Sequence, residues 1–150
     1  MAKTKIYYFA YGSNLSLKQM GMRCPHAKFI AKAKINDYRL AITGYSPRWK
    51  GGPATITKEK GAVVWGVVYE LDKDCLLRLD GFEGVKYKFY ERKNLTCHFV
   101  NGKTRLITTY IKEPKRITHP SKLYRNTIIR GARAFDLPPA YSELLRVELR

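Results

Sequence analysis

The sequence predicts an α+β domain built on a small mixed sheet that is strongly bent or closed into a β-barrel, with helices flanking it. Many strand-like segments precede residue 112 and two helical segments follow at the C-terminal end, an order typical of α+β domains. Residues 63–71 are apolar on both faces, as expected of a strand covered on both sides. The dipeptide at 101–102, Asn-Gly, separates two strand-like segments and is typical of a tight hairpin.

The first strand and the turn after it form the chemically most suggestive part of the chain. Residues 6–10 are aromatic and favour a strand, and residues 11–14 form a polar turn. A short helix over 15–22 follows, with Asn14 or Ser16 as its N-cap. Such a turn presents unpaired backbone N–H groups and the positive end of a helix dipole at one place. This arrangement suits an anion or a developing oxyanion.

The later boundaries rest on glycine, proline and capping residues. The predicted elements are extended chain over 27–43 in one or two strands, a loop over 44–53, strands over 54–57 and 63–71, a helix from 73 to about 79, strands over 87–99 and 103–111, and helices over 122–135 and 140–146. Asp72 and Ser121 are the expected N-caps, and Pro138 or Pro139 opens the last helix. Gly66 inside a strand predicts a bulge or a tight bend.

Length and composition limit the class of protein. A chain of 150 residues with 45% apolar side chains predicts one globular domain over 1–150. No apolar run approaches the ~20 residues of a membrane helix, and the N-terminus lacks a secretory signal, so we expect a cytoplasmic protein without a membrane partner. Cys24, Cys75 and Cys97 are odd in number and lack metal-site spacing, which predicts thiols rather than a disulfide or a zinc site.

The charge of the chain raises nucleic acid as a partner. Twenty-nine Lys and Arg against 12 Asp and Glu give a formal net charge of +17. The basic residues are spread along the chain without a run of five or six, and the aromatic residues do not form an RNA-binding strand pattern. We therefore interpret the charge as a solvated cationic surface that either serves solubility or draws in small anionic substrates.

Four groups of residues follow one another along the chain: YFAYGSNL at 8–15, VWGVV at 64–68, LDGFEGV at 79–85, and Tyr124 followed by Gly131-Ala132 and Leu137-Pro138. In sequence, order and spacing they resemble the γ-glutamylcyclotransferase-like family, also described as AIG2-like. The resemblance covers almost the whole chain. It implies a compact mixed β-barrel and an enzyme that releases 5-oxoproline from L-γ-glutamyl compounds without a cofactor or a metal. It leaves the oligomeric state open, with a homodimer as one alternative.

The implied reaction explains why few catalytic groups are needed. The α-amine of the γ-glutamyl compound attacks its own γ-carbonyl, which closes a lactam and expels the attached amine. The enzyme must position the substrate, move protons and stabilise the oxyanion. By resemblance, Glu83 is the catalytic acid and base. Its flanking glycines allow a turn into a cavity, where desolvation would raise its pKa. The alternative is an exposed carboxylate after a helix.

The resemblance also implies a set of substrate-binding residues: Tyr8, Phe9, Ala10, Tyr11, Gly12, Ser13, Asn14 and Tyr124. The turn would cradle the γ-glutamyl group with its N–H groups, or it is a simple turn in which Asn14 is only a cap. Tyr124 would hold the substrate carboxylate, or it packs on the barrel. Because neighbouring residues of a strand face opposite sides, one of Tyr8 and Phe9 should face the pocket. In the loop over 44–53, Trp49 is the candidate for touching the leaving group.

The sequence leaves three hypotheses about function open. The first is a γ-glutamyl cyclotransferase that acts on γ-glutamyl amino acids or amines. Asn14-Leu15, which follow Tyr-Gly-Ser, resemble the general branch of the family and favour these substrates over glutathione. A second reading is removal of a γ-glutamyl mask from a biosynthetic intermediate. The third keeps the scaffold without catalysis, as a binding protein for a small molecule or nucleic acid.

Overall fold

The computed structural model describes residues 5–150, and this part of the chain contains five strands, four α-helices and two 3-10 turns. In chain order they are β1 (Ile6–Ala10), a 3-10 turn (Ser13–Leu15), α1 (Leu17–Arg23), β2 (Lys28–Ile42), β3 (Ala54–Leu71), α2 (Lys73–Glu83), a second 3-10 turn (Val85–Tyr87), β4 (Glu91–Phe99), β5 (Thr104–Ile111), α3 (Lys122–Ala134) and α4 (Pro139–Glu148). The predicted α+β class is confirmed. The prediction of one domain over 1–150 extends to residues 1–4, which lie outside the described residues.

The five strands close into a barrel in the order β1-β3-β2-β4-β5. All neighbours are antiparallel except β1 and β5, which pair in parallel at Tyr8 and Thr108 and so close the barrel. The core is apolar, and Phe9, Val64 and Ile107 are among its fully buried side chains. A closed barrel leaves no long unpaired edge, which is why short strands such as β1 are held firmly.

Strand β3 is longer than the sequence predicts. Instead of two short strands it is continuous through residues 58–62, and β2 pairs with it on both sides of this stretch, up to Lys58 and again from Val63. Pairing of the two flanking parts overrides local composition here. The register shifts of this pair lie between Phe29 and Ala31 and between Asn36 and Tyr38, so a bulge at Gly66 is a wrong prediction.

Gly66 serves a close approach of two strands. It pairs regularly with Ala33, and a Cβ at this position would lie 2.2 Å from the carbonyl oxygen of Ala10 and 2.7 Å from the ring of Phe9. The end of β1 therefore lies very close to the backbone of β3 beside their last paired residues, Ala10 and Val67. Only glycine leaves room for this approach.

The helix boundaries follow the capping residues. Ser121 accepts a hydrogen bond from the amide of Tyr124, as predicted, and Pro139 is the first residue of α4. Helix α2 passes the expected end near residue 79 and continues to Glu83, where Gly84 at φ 66° ends it. None of the helices within residues 5–150 is long and apolar enough to cross a membrane.

The cysteine prediction is wrong for two of the three residues. Cys24 and Cys75 form a disulfide with their Cα atoms 5.4 Å apart, while Cys97 is a buried free thiol. The bond joins the end of α1 to the first turn of α2. These elements meet only in the folded chain, so the separation of 51 residues carries no local signal.

Candidate active site

A cavity of about 100 Å³ lies at the end of β1, between the turn that follows this strand, the loop over 44–53 and the end of α2. The predicted site residues that line it are Tyr8, Tyr11, Gly12, Ser13, Asn14, Glu83 and Tyr124. These seven residues come from β1, the turn after it, α2 and α3. We therefore expect the substrate in this cavity, and this placement stays a prediction.

The turn after β1 offers backbone donors to this cavity. The amide of Leu15 donates to the carbonyl oxygen of Gly12 at 3.0 Å, which closes the 3-10 turn. The amides of Gly12, Ser13 and Asn14 have no acceptor among the described residues. Behind the turn lies α3, in which a Cβ on Gly131 would sit 2.5 Å from the carbonyl oxygen of Leu15. Close packing of the helix therefore holds the donors in place.

Asn14 connects the turn to α1. Its side chain is 2% exposed, its Oδ1 accepts from Gln19 Nε2 at 2.9 Å and Arg23 Nη1 at 3.2 Å, and its Nδ2 donates to Tyr8 Oη at 2.9 Å. The N-cap of α1 is Ser16, whose Oγ accepts from the amide of Gln19. Of the two expected caps Ser16 is correct, and Asn14 is instead a buried bridge between strand and helix.

Glu83 is the last residue of α2 and lines the cavity. Its side chain is 18% exposed, and its Oε1 lies 3.8 Å from Nη1 of the buried Arg23. Burial raises the pKa of Glu83 to about 7, while the positive charges of Arg23 and Arg48 act in the opposite direction. Near neutral pH this carboxyl group can therefore both accept and return a proton.

Tyr124 places a hydroxyl group on the same cavity. Its Oη accepts a hydrogen bond from the amide of Ala54 at 2.8 Å, and its own proton has no acceptor among the described residues. A Cβ on Gly12 would lie 3.6 Å from this oxygen, so the hydroxyl group is close to the turn. Burial raises the pKa of Tyr124 well above its ordinary value, which keeps it a neutral donor.

Two residues of the predicted set lie elsewhere. Phe9 is fully buried in the core and does not line the cavity, so of the alternating pair it is Tyr8 that faces it. Ala10 also lies in the core, with its carbonyl oxygen against Gly66. Both hold the strand in position without a side chain at the cavity.

Sequence reasoning missed several residues of the cavity wall, above all Arg23, Arg48 and Phe82. Arg23 is 4% exposed and its Nε has no partner among the described residues. One arginine in a short helix carries no local signal of burial. For Arg48 a signal existed, since Trp49 beside it was predicted to touch the leaving group, and Trp49 does line the cavity, against Tyr124.

Comparisons with known proteins point to one family. The model of the AIG2-like family matches residues 63–145. Proteins named gamma-glutamylcyclotransferase from Mus musculus and Homo sapiens are each 37% identical to this chain over 93% of it and 76% of their own length. A solved structure of a gamma-glutamyl cyclotransferase superposes with a TM-score of 0.91 at 34% identity, over 95% of this chain and 87% of that one. The chain belongs to the AIG2-like family, together with the γ-glutamylcyclotransferases that it matches in sequence and fold.

Proposed function

We propose that the chain is a γ-glutamylcyclotransferase that converts an L-γ-glutamyl compound to 5-oxoproline and a free amino acid or amine. The observation that carries the proposal is that Glu83, with its pKa near neutrality, lines one cavity with residues 12–14, whose amides have no acceptor among the described residues. The names of the relatives and of the superposed structure support the same activity.

In the proposed reaction the substrate supplies the nucleophile. The ionised carboxylate of Glu83 accepts a proton from the α-ammonium group, and the resulting amine attacks the γ-carbonyl carbon. A C–N bond forms, and the carbonyl oxygen takes the negative charge. Glu83 returns this proton to the leaving nitrogen as the bond from the carbonyl carbon to that nitrogen breaks. The carboxylate then takes the second proton from the ring nitrogen and passes it to the released amine, which leaves as an ammonium ion, so that Glu83 ends in its starting state.

The other groups of the cavity position the substrate and stabilise charge. The amides of residues 12–14 would donate to the oxyanion or to the substrate carboxylate, and the hydroxyl group of Tyr124 would donate its free proton to the same molecule. The positive charge of Arg23 favours the ionised form of Glu83. Without this charge, burial would raise the pKa of Glu83 further. Asn14 holds Arg23 and Tyr8 in this arrangement.

The cellular setting stays a prediction. We expect a cytoplasmic enzyme of glutathione metabolism, acting on a small molecule, with a homodimer as one alternative for its assembly. The disulfide between Cys24 and Cys75 bears on the location, because cytoplasmic reductants keep most thiols reduced.

The test follows 5-oxoproline after mixing the purified chain with several γ-glutamyl amino acids. Glu83→Gln should lower the rate about 100-fold or more, since proton transfer contributes roughly 10²–10⁴. In the unmodified chain kcat/KM should rise with pH as Glu83 ionises, with a midpoint near its pKa of about 7.

A matched control is Glu91→Gln, which removes an exposed carboxylate on β4 and should leave the rate unchanged. Equal turnover by the unmodified chain and Glu83→Gln would exclude the role of Glu83. Binding of γ-glutamyl compounds without turnover would support the reading as a binding protein.

A further inference from the structure

A second cavity of about 340 Å³ adjoins the first. Four residues line both cavities and mark their junction: Arg23, Arg48, Trp49 and Phe82. The second cavity is otherwise lined by Ser16, Lys18, Gln19, Met22, Leu123 and Thr127. Its wall therefore combines apolar side chains with cations, and no carboxylate is among the described residues that line it. Such a wall suits a group that is apolar in part and anionic in part.

The guanidinium group of Arg48 lies at this junction, and its donors have no hydrogen-bond acceptor among the described residues. It stacks over the ring of Phe82 at 5.3 Å from the ring centroid, and the guanidinium group of Arg23 lies 4.6 Å from the same ring. Stacking uses the face of the guanidinium plane and leaves the N–H donors at its edge free. Among residues 5–150 no carboxylate lies within ion-pair distance of Arg48.

The loop that carries Arg48 is held by its own hydrogen bonds. The amide of Ser46 donates to the carbonyl oxygen of Gly51 at 2.8 Å, and the amide of Lys50 donates to the carbonyl oxygen of Ser46 at 2.7 Å. The ring of Trp49 packs on Tyr124, with the ring centroids 4.8 Å apart. Arg48 is thus presented from a fixed turn, which lowers the entropy cost of binding a ligand.

The leaving group of the substrate is the part that would lie at the junction of the two cavities during the reaction. In the proposed function, on which this inference rests, the γ-glutamyl part occupies the small cavity at Glu83, and the leaving group points away from it. The wider space beyond Arg48 adjoins this position. A leaving amino acid carries a carboxylate two bonds from its nitrogen, whereas a leaving amine carries none.

We infer that Arg48 binds the carboxylate of the leaving amino acid, and that the second cavity takes its side chain against Met22, Trp49 and Leu123. A planar guanidinium group matches a carboxylate with two parallel hydrogen bonds. The substrate class is then γ-glutamyl derivatives of amino acids with apolar side chains, selected over γ-glutamyl amines. Arg48 is a specificity-determining residue that does not move protons.

The test compares two compounds that differ in this carboxylate alone, γ-glutamyl-leucine and the γ-glutamyl amide of isopentylamine. For each, kcat and KM are measured through 5-oxoproline release at a pH above the pKa of Glu83. The unmodified chain should prefer the leucine compound. In Arg48→Gln the ratio of the two kcat/KM values should fall about fivefold to tenfold, which is the scale of one well-aligned but exposed charge pair.

The ratio of the two kcat/KM values cancels any effect of the Arg48 substitution on Glu83, because such an effect changes both values by the same factor. The loss should appear mainly as a higher KM for the leucine compound, because the carboxylate contact is the same before and during the reaction. Arg48→Lys should retain part of the preference. Lys50→Gln removes the same charge from the same loop, outside both cavities, and should leave the ratio unchanged.

The outcomes separate this inference from the proposed function. If both compounds release 5-oxoproline and Arg48→Gln leaves their ratio unchanged, the role of Arg48 is refuted and the activity stands. If the loss is equal in Arg48→Gln and Lys50→Gln, general surface charge explains it and the assignment is also refuted. If the unmodified chain releases 5-oxoproline from no γ-glutamyl compound, the proposed function fails, and the inference fails with it.

Discussion

Replacing Glu83 by glutamine should stabilise the fold above neutral pH, because the buried carboxylate opposes folding when it is ionised. Burial raises the pKa of this residue from 4.5 to about 7, and the side chain is only 18% exposed. Each pH unit between the unfolded and folded pKa corresponds to about 1.4 kcal/mol. Over an interval of about 2.5 pH units the ionised carboxylate therefore costs about 3 kcal/mol of unfolding free energy.

The sign of the effect follows from proton binding. A carboxyl group whose pKa is raised by folding binds its proton more tightly in the folded state, so the cost is absent well below pH 4.5. It grows as the pH rises from 4.5 to about 7 and is constant above that. Glutamine resembles the protonated acid and does not titrate. The gain in Glu83→Gln should be about 1 kcal/mol at pH 5 and about 3 kcal/mol at pH 8.

The assay is urea unfolding of both proteins at several pH values between 5 and 8, followed by circular dichroism. Other titrating groups are shared by the two proteins, so the difference isolates Glu83. Glu91→Gln is the control, with an expected change within about 0.5 kcal/mol at each pH. A difference between Glu83→Gln and the unmodified chain that is the same at pH 5 and pH 8 would refute the desolvation of Glu83.

Two further predictions concern the supports of the site. Reduction of the Cys24–Cys75 disulfide should lower the unfolding free energy by about 4 kcal/mol, which is the chain-entropy value for a loop of 51 residues. Urea unfolding with and without reductant measures this change. An unchanged unfolding midpoint would contradict the presence of the bond. Gly131→Ala should cost about 1–3 kcal/mol and slow turnover, because its Cβ would lie 2.5 Å from the carbonyl oxygen of Leu15 and displace the turn after β1. The control is Gly21→Ala in α1, where a Cβ would have nothing within 4 Å. Urea unfolding of this variant should show a gain of about 0.5–1 kcal/mol in unfolding free energy. Equal effects of the two substitutions would argue against close packing at Gly131.

Local chemistry decided the features that the sequence predicted correctly. The Asn101-Gly102 turn, the cap at Ser121 and the polar turn after β1 each depend on a few neighbouring residues, so their signals survive without the rest of the chain. Among the residues of the candidate site, Glu83 and the turn were found through motifs that the family shares. The α+β class followed from the order of such local signals.

Only the tertiary structure decided which residues distant in sequence lie next to one another. Arg23 meets Glu83, Cys24 meets Cys75, and two parts of β3 pair along the same strand β2, each because a partner distant in sequence is brought within contact distance. Burial and the fields of neighbouring charges depend on distance in space, and sequence separation does not encode it. The sequence therefore determined that a carboxylate lies between two glycines near the end of a helix, whereas only the closed barrel placed it beside arginines, in a cavity that it shares with residues 12–14, with a pKa near neutrality.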